Sequence, residues 1–188
     1  MTKRISMPPF PTPGERIAVV GATGSGKTTI AEALASLYGL PHIELDALHW
    51  GPDWQEPPLE VFRQRVSQAL EGPAWVADGN YSKVRDVVWG RATTLVWLDY
   101  SLPVIYWRLI WRTVGRLVTR KKLWNGNHET LRGMLFSRDS LFFYALPSQR
   151  RQRLHYPQIL TQPEYGHLQI IQARSPREID DWLNRLHS

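Results

Sequence analysis

The sequence has no cysteine. Disulfides, thiol catalysis and cysteine-based zinc sites are therefore excluded, and cysteine usage says nothing of the redox compartment. A long apolar run is also missing. Met1 to Gly14 is polar, basic and rich in proline, without the apolar centre of a signal peptide. The most hydrophobic stretch, Thr94 to Val114, is interrupted by Asp99, Pro103, Arg108 and Arg112. It reads as a strand plus a helix, not as a membrane span. No internal repeat is visible. A soluble, cytoplasmic protein with no membrane partner is the expectation. Acidic residues are in the minority: 17 Asp and Glu stand against 23 Lys and Arg, a formal charge of +6. That balance implies an anionic partner: a nucleotide, a nucleic acid or an acidic membrane surface. At 188 residues the chain has the size of one domain with a core that needs no staples.

What is present centres on one stretch, Gly21-Ala22-Thr23-Gly24-Ser25-Gly26-Lys27-Thr28, which matches G-x-x-x-x-G-K-[ST], the phosphate-binding P-loop. Arg16 to Val20 before it is a short β-branched run that reads as a buried strand. Thr29 to Tyr38 after it reads as a helix, with Ile30, Ala33, Leu34 and Leu37 on one face. The motif thus sits between strand and helix, where glycines let backbone N–H groups curl around an anion. The spacing assigns Gly21 to Thr29 to ATP, Lys27 to its β- and γ-phosphates, and the Thr28 hydroxyl to Mg²⁺. A Rossmann dinucleotide site is the nearest rival, but it asks for G-x-G-x-x-G, and the Lys-Thr pair has no task on a dinucleotide pyrophosphate.

Along the chain, Met1 to Gly14 reads as a flexible arm and residues 15–188 as one P-loop domain. His42 to Asp46 is a second strand, and Ala47 to Pro58 is irregular, with Trp50 and Trp54. Leu59 to Leu70 is a helix, Ala74 to Ala77 a third strand, and Leu95 to Leu98 a fourth. Pro103 opens a long helix to about Thr119. A basic, polar segment, about residues 116–140, reads as a mobile lid. Leu141 to Leu154 reads as a helix despite Pro147, and Leu168 to Ile171 as a fifth strand. Pro176 to Leu186 is a terminal helix capped by Ser175. The alternation predicts an α/β fold of three layers: a five-stranded parallel sheet with helices on both faces.

In such a sheet ligands bind at the carboxyl ends of the strands. The second, third and fourth strands end at Asp46, Asp78 and Asp99. A carboxylate at that edge can hold Mg²⁺ or accept a proton from an attacking hydroxyl. Asp46 is the candidate for the acceptor, and Asp78 for the metal, with Asp99 as the other possible metal partner. Arg108, Arg112, Arg116 and Arg120 recur every four residues and form one basic stripe on the long helix.

These features resemble the adenylate-kinase-like branch of P-loop kinases. Asp78-Gly79 resembles the start of that branch's D-G-F-P-R motif, with Asn80-Tyr81 in place of Phe-Pro and Ser82 in place of Arg. More closely, Leu45-Asp46-x-x-x-Trp50, Asp78-Gly79-Asn80-Tyr81, Leu98-Asp99-Tyr100 and the Arg-rich helix before Asn125-Gly126-Asn127 resemble bacterial adenylate-kinase-related proteins, some described as DNA topology modulation proteins. The resemblance implies ATP with Mg²⁺ and transfer of the γ-phosphate to a small acceptor. It places Arg112 and Arg116 at the start of the lid and Arg132 at its far end, to neutralise the transferring group. Arg116 and Pro176 would also contact the nucleotide, Pro176 because related kinases wrap the backbone after the fifth strand around adenine. No equivalent of the AMP-holding Thr-Gly-Asp stretch is found. Asp46 instead resembles the acceptor-binding Asp of shikimate- and gluconate-type kinases, although their second acidic residue is replaced by Leu48. The alternative is a nucleotide-gated DNA-binding or regulatory NTPase.

Overall fold

In the computed structural model, residues 10–119 and 141–187 are described, without the side chains of residues 53, 112–119 and 141–145. The strands are β1 (Arg16–Gly21), β2 (His42–Glu44), β3 (Trp75–Asp78), β4 (Thr94–Leu98) and β5 (Gln169–Ala173). They form one sheet in the order β2-β3-β1-β4-β5, with every pair parallel. The helices are α1 (Lys27–Tyr38), α2 (Leu45–His49), α3 (Leu59–Ala69), α4 (Arg85–Arg91), α5 (Leu102–Thr119), α6 (Leu141–Leu160) and α7 (Pro176–Leu186). The expected three-layer architecture is the observed one.

β1 lies in the middle, and its period of two sends alternate side chains to opposite faces. Ile17 and Val19 pack with Leu34 of α1, Ile105 and Leu109 of α5, and Trp182 of α7. Ala18 and Val20 pack with Phe62 and Val66 of α3, Trp89 of α4 and Tyr156 of α6. A strand buried on both faces reads as a continuous apolar run, which is why it stood out in the sequence.

Several boundaries differ from expectation, each for a local reason. α1 starts at Lys27, two residues early, because Gly26 is already in the left-handed region (φ 91°) and ends the loop there. β2 stops at Glu44 and does not reach Asp46. Its partner β3 ends at the Glu44–Asp78 pair, where Gly79 turns the chain away at φ 142°, so Leu45 has no ladder to join. Leu45 to His49 coil into α2 instead, and Asp46 sits in the first turn of that helix. α4 is not legible in the sequence: it has only seven residues, of which Val88 and Trp89 are buried. α6 continues past the expected Leu154 to Leu160, with Pro147 and Pro157 inside it. α7 has the expected bounds, and the Ser175 hydroxyl accepts a hydrogen bond from the Glu178 N–H at 3.4 Å.

Residues 10–14 lie against the domain. Phe10 meets Trp182 edge-on at 6.3 Å, the Trp182 indole donates to the Pro11 carbonyl at 3.0 Å, and Gly14 N–H donates to Thr94 Oγ1 at 2.8 Å. The expected lid, residues 116–140, coincides with α5 up to Thr119 and otherwise lies outside the described residues.

Candidate active site

The loop from Gly21 to Gly26 joins the central strand to α1. Gly24 (φ 84°) and Gly26 (φ 91°) both occupy the left-handed region, which an L side chain enters only at a cost. Space forbids a side chain at Gly24 as well, whereas at Gly26 only the flexible end of Arg108 stands in the way. A Cβ on Gly24 would lie 2.5 Å from Leu109 Cγ, and one on Gly26 would lie 2.5 Å from Arg108 Nη2. So α5 closes over the loop and lays the Arg108 guanidinium on it. Lys27 Nζ donates to the Ala22 carbonyl at 3.3 Å, which folds the ammonium back across the loop. Ser25 Oγ is buried without a hydrogen-bond partner, a polar atom for which a ligand oxygen would be a partner. Curled backbone amides, two cations and an orphaned hydroxyl fit a polyphosphate. Thr23 is half-buried and Thr29 exposed in this segment, as befits the mouth of such a cradle.

Directly behind it, Thr28 Oγ1 donates to Asp78 Oδ2 at 2.8 Å. The other Asp78 oxygen, Oδ1, meets His42 Nε2 at 2.9 Å. His42 and Asp78 stand on neighbouring strands, two residues out of register, a spacing at which side chains on one face reach each other. The hydrogen bond to Asp78 raises the His42 pKa, outweighing the opposite pull of burial. Asp78 is 5% exposed. A hydroxyl and a carboxylate oxygen side by side at a phosphate cradle suit Mg²⁺, which takes one or two protein oxygens and completes its shell with water and phosphate. Among the described residues no three His, Cys, Asp or Glu side chains form a metal cluster.

Asp46 belongs to a second group. Tyr81 donates its hydroxyl to Asp46 Oδ1 at 2.5 Å. Burial, then the nearby Asp46 charge, pushes the Tyr81 hydroxyl far above its ordinary pKa, so it stays a proton donor to that carboxylate. Tyr81 is itself packed in rings: His49 lies 4.5 Å and Phe62 5.1 Å from it, centre to centre. His49 also touches Trp50, which stacks edge-on against Trp54 at 5.6 Å. His49 is buried, and burial lowers its pKa. Trp54 holds φ 58°, a conformation that costs a bulky residue about 1–3 kcal/mol.

The two groups are joined by consecutive residues. Asn80, just before Tyr81, spans Gly21: its side-chain Oδ1 accepts from the Gly21 N–H at 3.2 Å, and its Nδ2 donates to the Gly21 carbonyl. Asn80 therefore holds the root of the phosphate loop while Tyr81 holds Asp46. Neither was read from the sequence as a site residue; both entered only through motif comparison, as departures from D-G-F-P-R and as part of the matching Asp78-Gly79-Asn80-Tyr81. His42 gave no local signal at all.

The remaining candidates are placed as follows. Asp99 has other partners: Arg153 Nε donates to its Oδ1 at 2.6 Å and Gln172 Nε2 to its Oδ2 at 2.9 Å. Of the two carboxylates considered for the metal, only Asp78 touches the loop threonine. Pro176 is half-buried at the first turn of α7, beyond the carboxyl end of β5. Arg112 and Arg116 lie on α5, with side chains outside the described residues, and Arg132 is outside them altogether. A cavity of about 420 Å³ opens at the opposite, amino-terminal edge of the sheet, beside Arg16, Arg91 and His167, and holds none of these residues. Among the described residues no helix is long and apolar enough to cross a membrane.

The sequence matches no protein-family model and no curated protein. Its fold does match solved structures. A shikimate kinase from Bacteroides thetaiotaomicron is 17% identical, over 92% of this chain and 96% of its own, with a TM-score of 0.53. A shikimate kinase from Acinetobacter baumannii, in complex with shikimate, is 17% identical, over 92% of this chain and 90% of its own, with a TM-score of 0.54. At that identity the likeness establishes the fold alone, which is the one these two shikimate kinases have.

Proposed function

We propose that the chain is an ATP-dependent kinase, one domain over residues 15–188, that transfers a phosphoryl group to a small molecule. The observation that carries this is the Asn80–Tyr81 pair, which ties a phosphate cradle to a separately held carboxylate. A site that only bound nucleotide would need the cradle alone. Gly21 to Thr29 would hold the triphosphate, with Lys27 and Arg108 against its charge. Thr28 and Asp78 would hold Mg²⁺, and His42 fixes the orientation of Asp78 through its second oxygen. Bound Mg²⁺·ATP would supply the phosphoryl group and spread its negative charge over the metal. Asp46, kept in place by Tyr81, is the proton acceptor for the attacking hydroxyl. Trp50 and Trp54 wall that side. Arg112, Arg116 and Arg132 are assigned to the transferring group and Pro176 to the nucleotide base. The helical spacing of Arg112 and Arg116 from Arg108 supports the first of these.

Mg²⁺-dependent ATP consumption tests the reading, with nucleoside monophosphates, sugar acids and other hydroxy acids, and single-stranded DNA as possible stimulants. One small acceptor is expected to raise turnover well above the rate with water. Lys27→Ala is expected to lower that turnover about a hundredfold or more. Stimulation by DNA alone, or none with ATP still bound, would favour the nucleotide-gated reading.

A further inference from the structure

Arg85 is the first residue of α4, four positions after Tyr81. Its guanidinium carbon sits 5.1 Å from the centre of the Trp89 ring and 5.8 Å from that of Tyr156. With Gly79, Asn80, Tyr81 and Leu45 it lines a narrow recess of about 10 Å³ beside the loop that follows β3. Among the described residues it makes no hydrogen bond and no ion pair. The nearest acid in sequence, Asp86, is taken: Arg63 donates to both of its oxygens, at 2.9 and 2.6 Å. Of the buried acids, Asp78 is bonded to Thr28 and His42, and Asp99 is taken by Arg153. Arg85 is thus a half-buried cation that the fold positions and that none of the described residues neutralises.

From this placement we infer that Arg85 receives an anionic group of the acceptor, so that the acceptor is a hydroxyl compound carrying a carboxylate or a phosphate. The inference rests on the kinase reading for the word acceptor, but the anion site stands on its own geometry. Ring faces hold a guanidinium through its π-surface and leave the N–H donors along its edge. That edge matches two oxygens of a carboxylate or phosphate in a bidentate contact, which a lysine cannot reproduce. The recess has room for about one water, hence for the oxygen edge of an anion and not for a whole substrate. The rest of the molecule would lie outside it, and Tyr81, which lines the recess, also holds Asp46. Asp46 and Arg85 then read the two ends of one acceptor: its hydroxyl and its charge.

The test compares wild type, Arg85→Met and Arg85→Lys. Arg85→Met keeps the apolar stem against Trp89 and Tyr156 and removes the charge. ATP consumption is measured with matched sets of hydroxyl compounds, each as carboxylate, as phosphate ester and as neutral amide or alcohol. Binding of inorganic phosphate and of acetate is measured by calorimetry, with a non-hydrolysable ATP analogue filling the P-loop. The expected result is stimulation by one anionic class only, which also tells carboxylate from phosphate. KM for that class should rise about ten- to hundredfold in Arg85→Met, with unchanged affinity for the ATP analogue and an unchanged melting temperature. Arg85→Lys should recover only part of the loss. Equal use of the neutral members by wild type, or an unchanged KM in Arg85→Met, overturns the inference. If no compound stimulates turnover, the kinase reading falls and calorimetry decides the site. Anion binding that is lost in Arg85→Met upholds it, and absent or equal binding in both proteins overturns it.

Discussion

The two halves of the proposed site, one for phosphate and one for the acceptor, are built by different means. The phosphate half is mostly backbone: two left-handed glycines, a central strand and the start of a helix, all within Arg16 to Tyr38. The acceptor half is mostly side chains from distant elements: Asp46 from α2, Phe62 from α3 and Tyr81 from the loop after β3. A backbone cradle recognises what every nucleoside triphosphate shares, whereas a side-chain wall can be rebuilt for any acceptor. Fold and phosphate chemistry are therefore common to many proteins, and the acceptor is particular to each.

The sharpest break between the halves is a pair of substitutions. Lys27→Ala and Asp46→Asn should each lower acceptor-dependent turnover about a hundredfold or more. They should part on nucleotide affinity: Lys27→Ala weakens binding of a non-hydrolysable ATP analogue, and Asp46→Asn leaves it unchanged. Equal loss of ATP affinity in both would mean that Asp46 belongs to the phosphate half and that the division is wrong. Asn80→Ala acts on the hinge between them. It strips both side-chain partners from the Gly21 backbone, and unmade buried hydrogen bonds cost about 1–3 kcal/mol. The melting temperature should fall and ATP affinity should weaken with it, while the Tyr81–Asp46 bond survives. A variant as stable as wild type, with normal ATP affinity, would show that the loop holds its shape without Asn80.

The same contrast explains what the sequence could tell. The phosphate half was legible because its residues are contiguous and each glycine answers to a local backbone need. The order of elements gave the parallel sheet and a strand end gave Asp78, whereas Asp46, read as a strand end, lies in the first turn of α2. The links between them were hidden by distance along the chain. His42 and Asp78 are 36 residues apart, Asp46 and Tyr81 35, and Gly21 and Asn80 59. Nothing near Asn80 says that its amide will face the root of the P-loop until β1 and β3 are laid side by side. α2 and α4 were missed for another reason: five and seven residues are too few for a helical period to show. Asp99 looked equivalent to Asp78 because both end strands. Distant partners separate them: Thr28, 50 residues away, on Asp78, and Arg153 on α6, 54 residues away, on Asp99.

The smallest expected effect lies in two histidines, one in each half, that pull stability in opposite directions with pH. His42 has its pKa raised by the hydrogen bond to Asp78. Its contribution is complete below the unfolded value of about 6.5 and is lost as pH rises through the higher folded value. His49 has its pKa lowered by burial among Trp50, Phe62 and Tyr81. There the unfolded chain takes up the proton first, so stability is lost as pH falls below about 6.5. Urea denaturation at intervals from about pH 5 to pH 8, across the histidine range, can separate the two. Relative to wild type, His42→Gln should flatten the decline on the alkaline side and leave the acid side alone, and His49→Phe should do the reverse. If His42→Gln leaves the alkaline limb unchanged, the His42–Asp78 bond is not holding a proton, and the carboxylate is not being oriented by a cation. Mg²⁺ with the ATP analogue sharpens the result. A metal drawn to Asp78 competes with the proton on His42, so the alkaline limb of the wild type should shrink on addition of both and that of His42→Gln should not move.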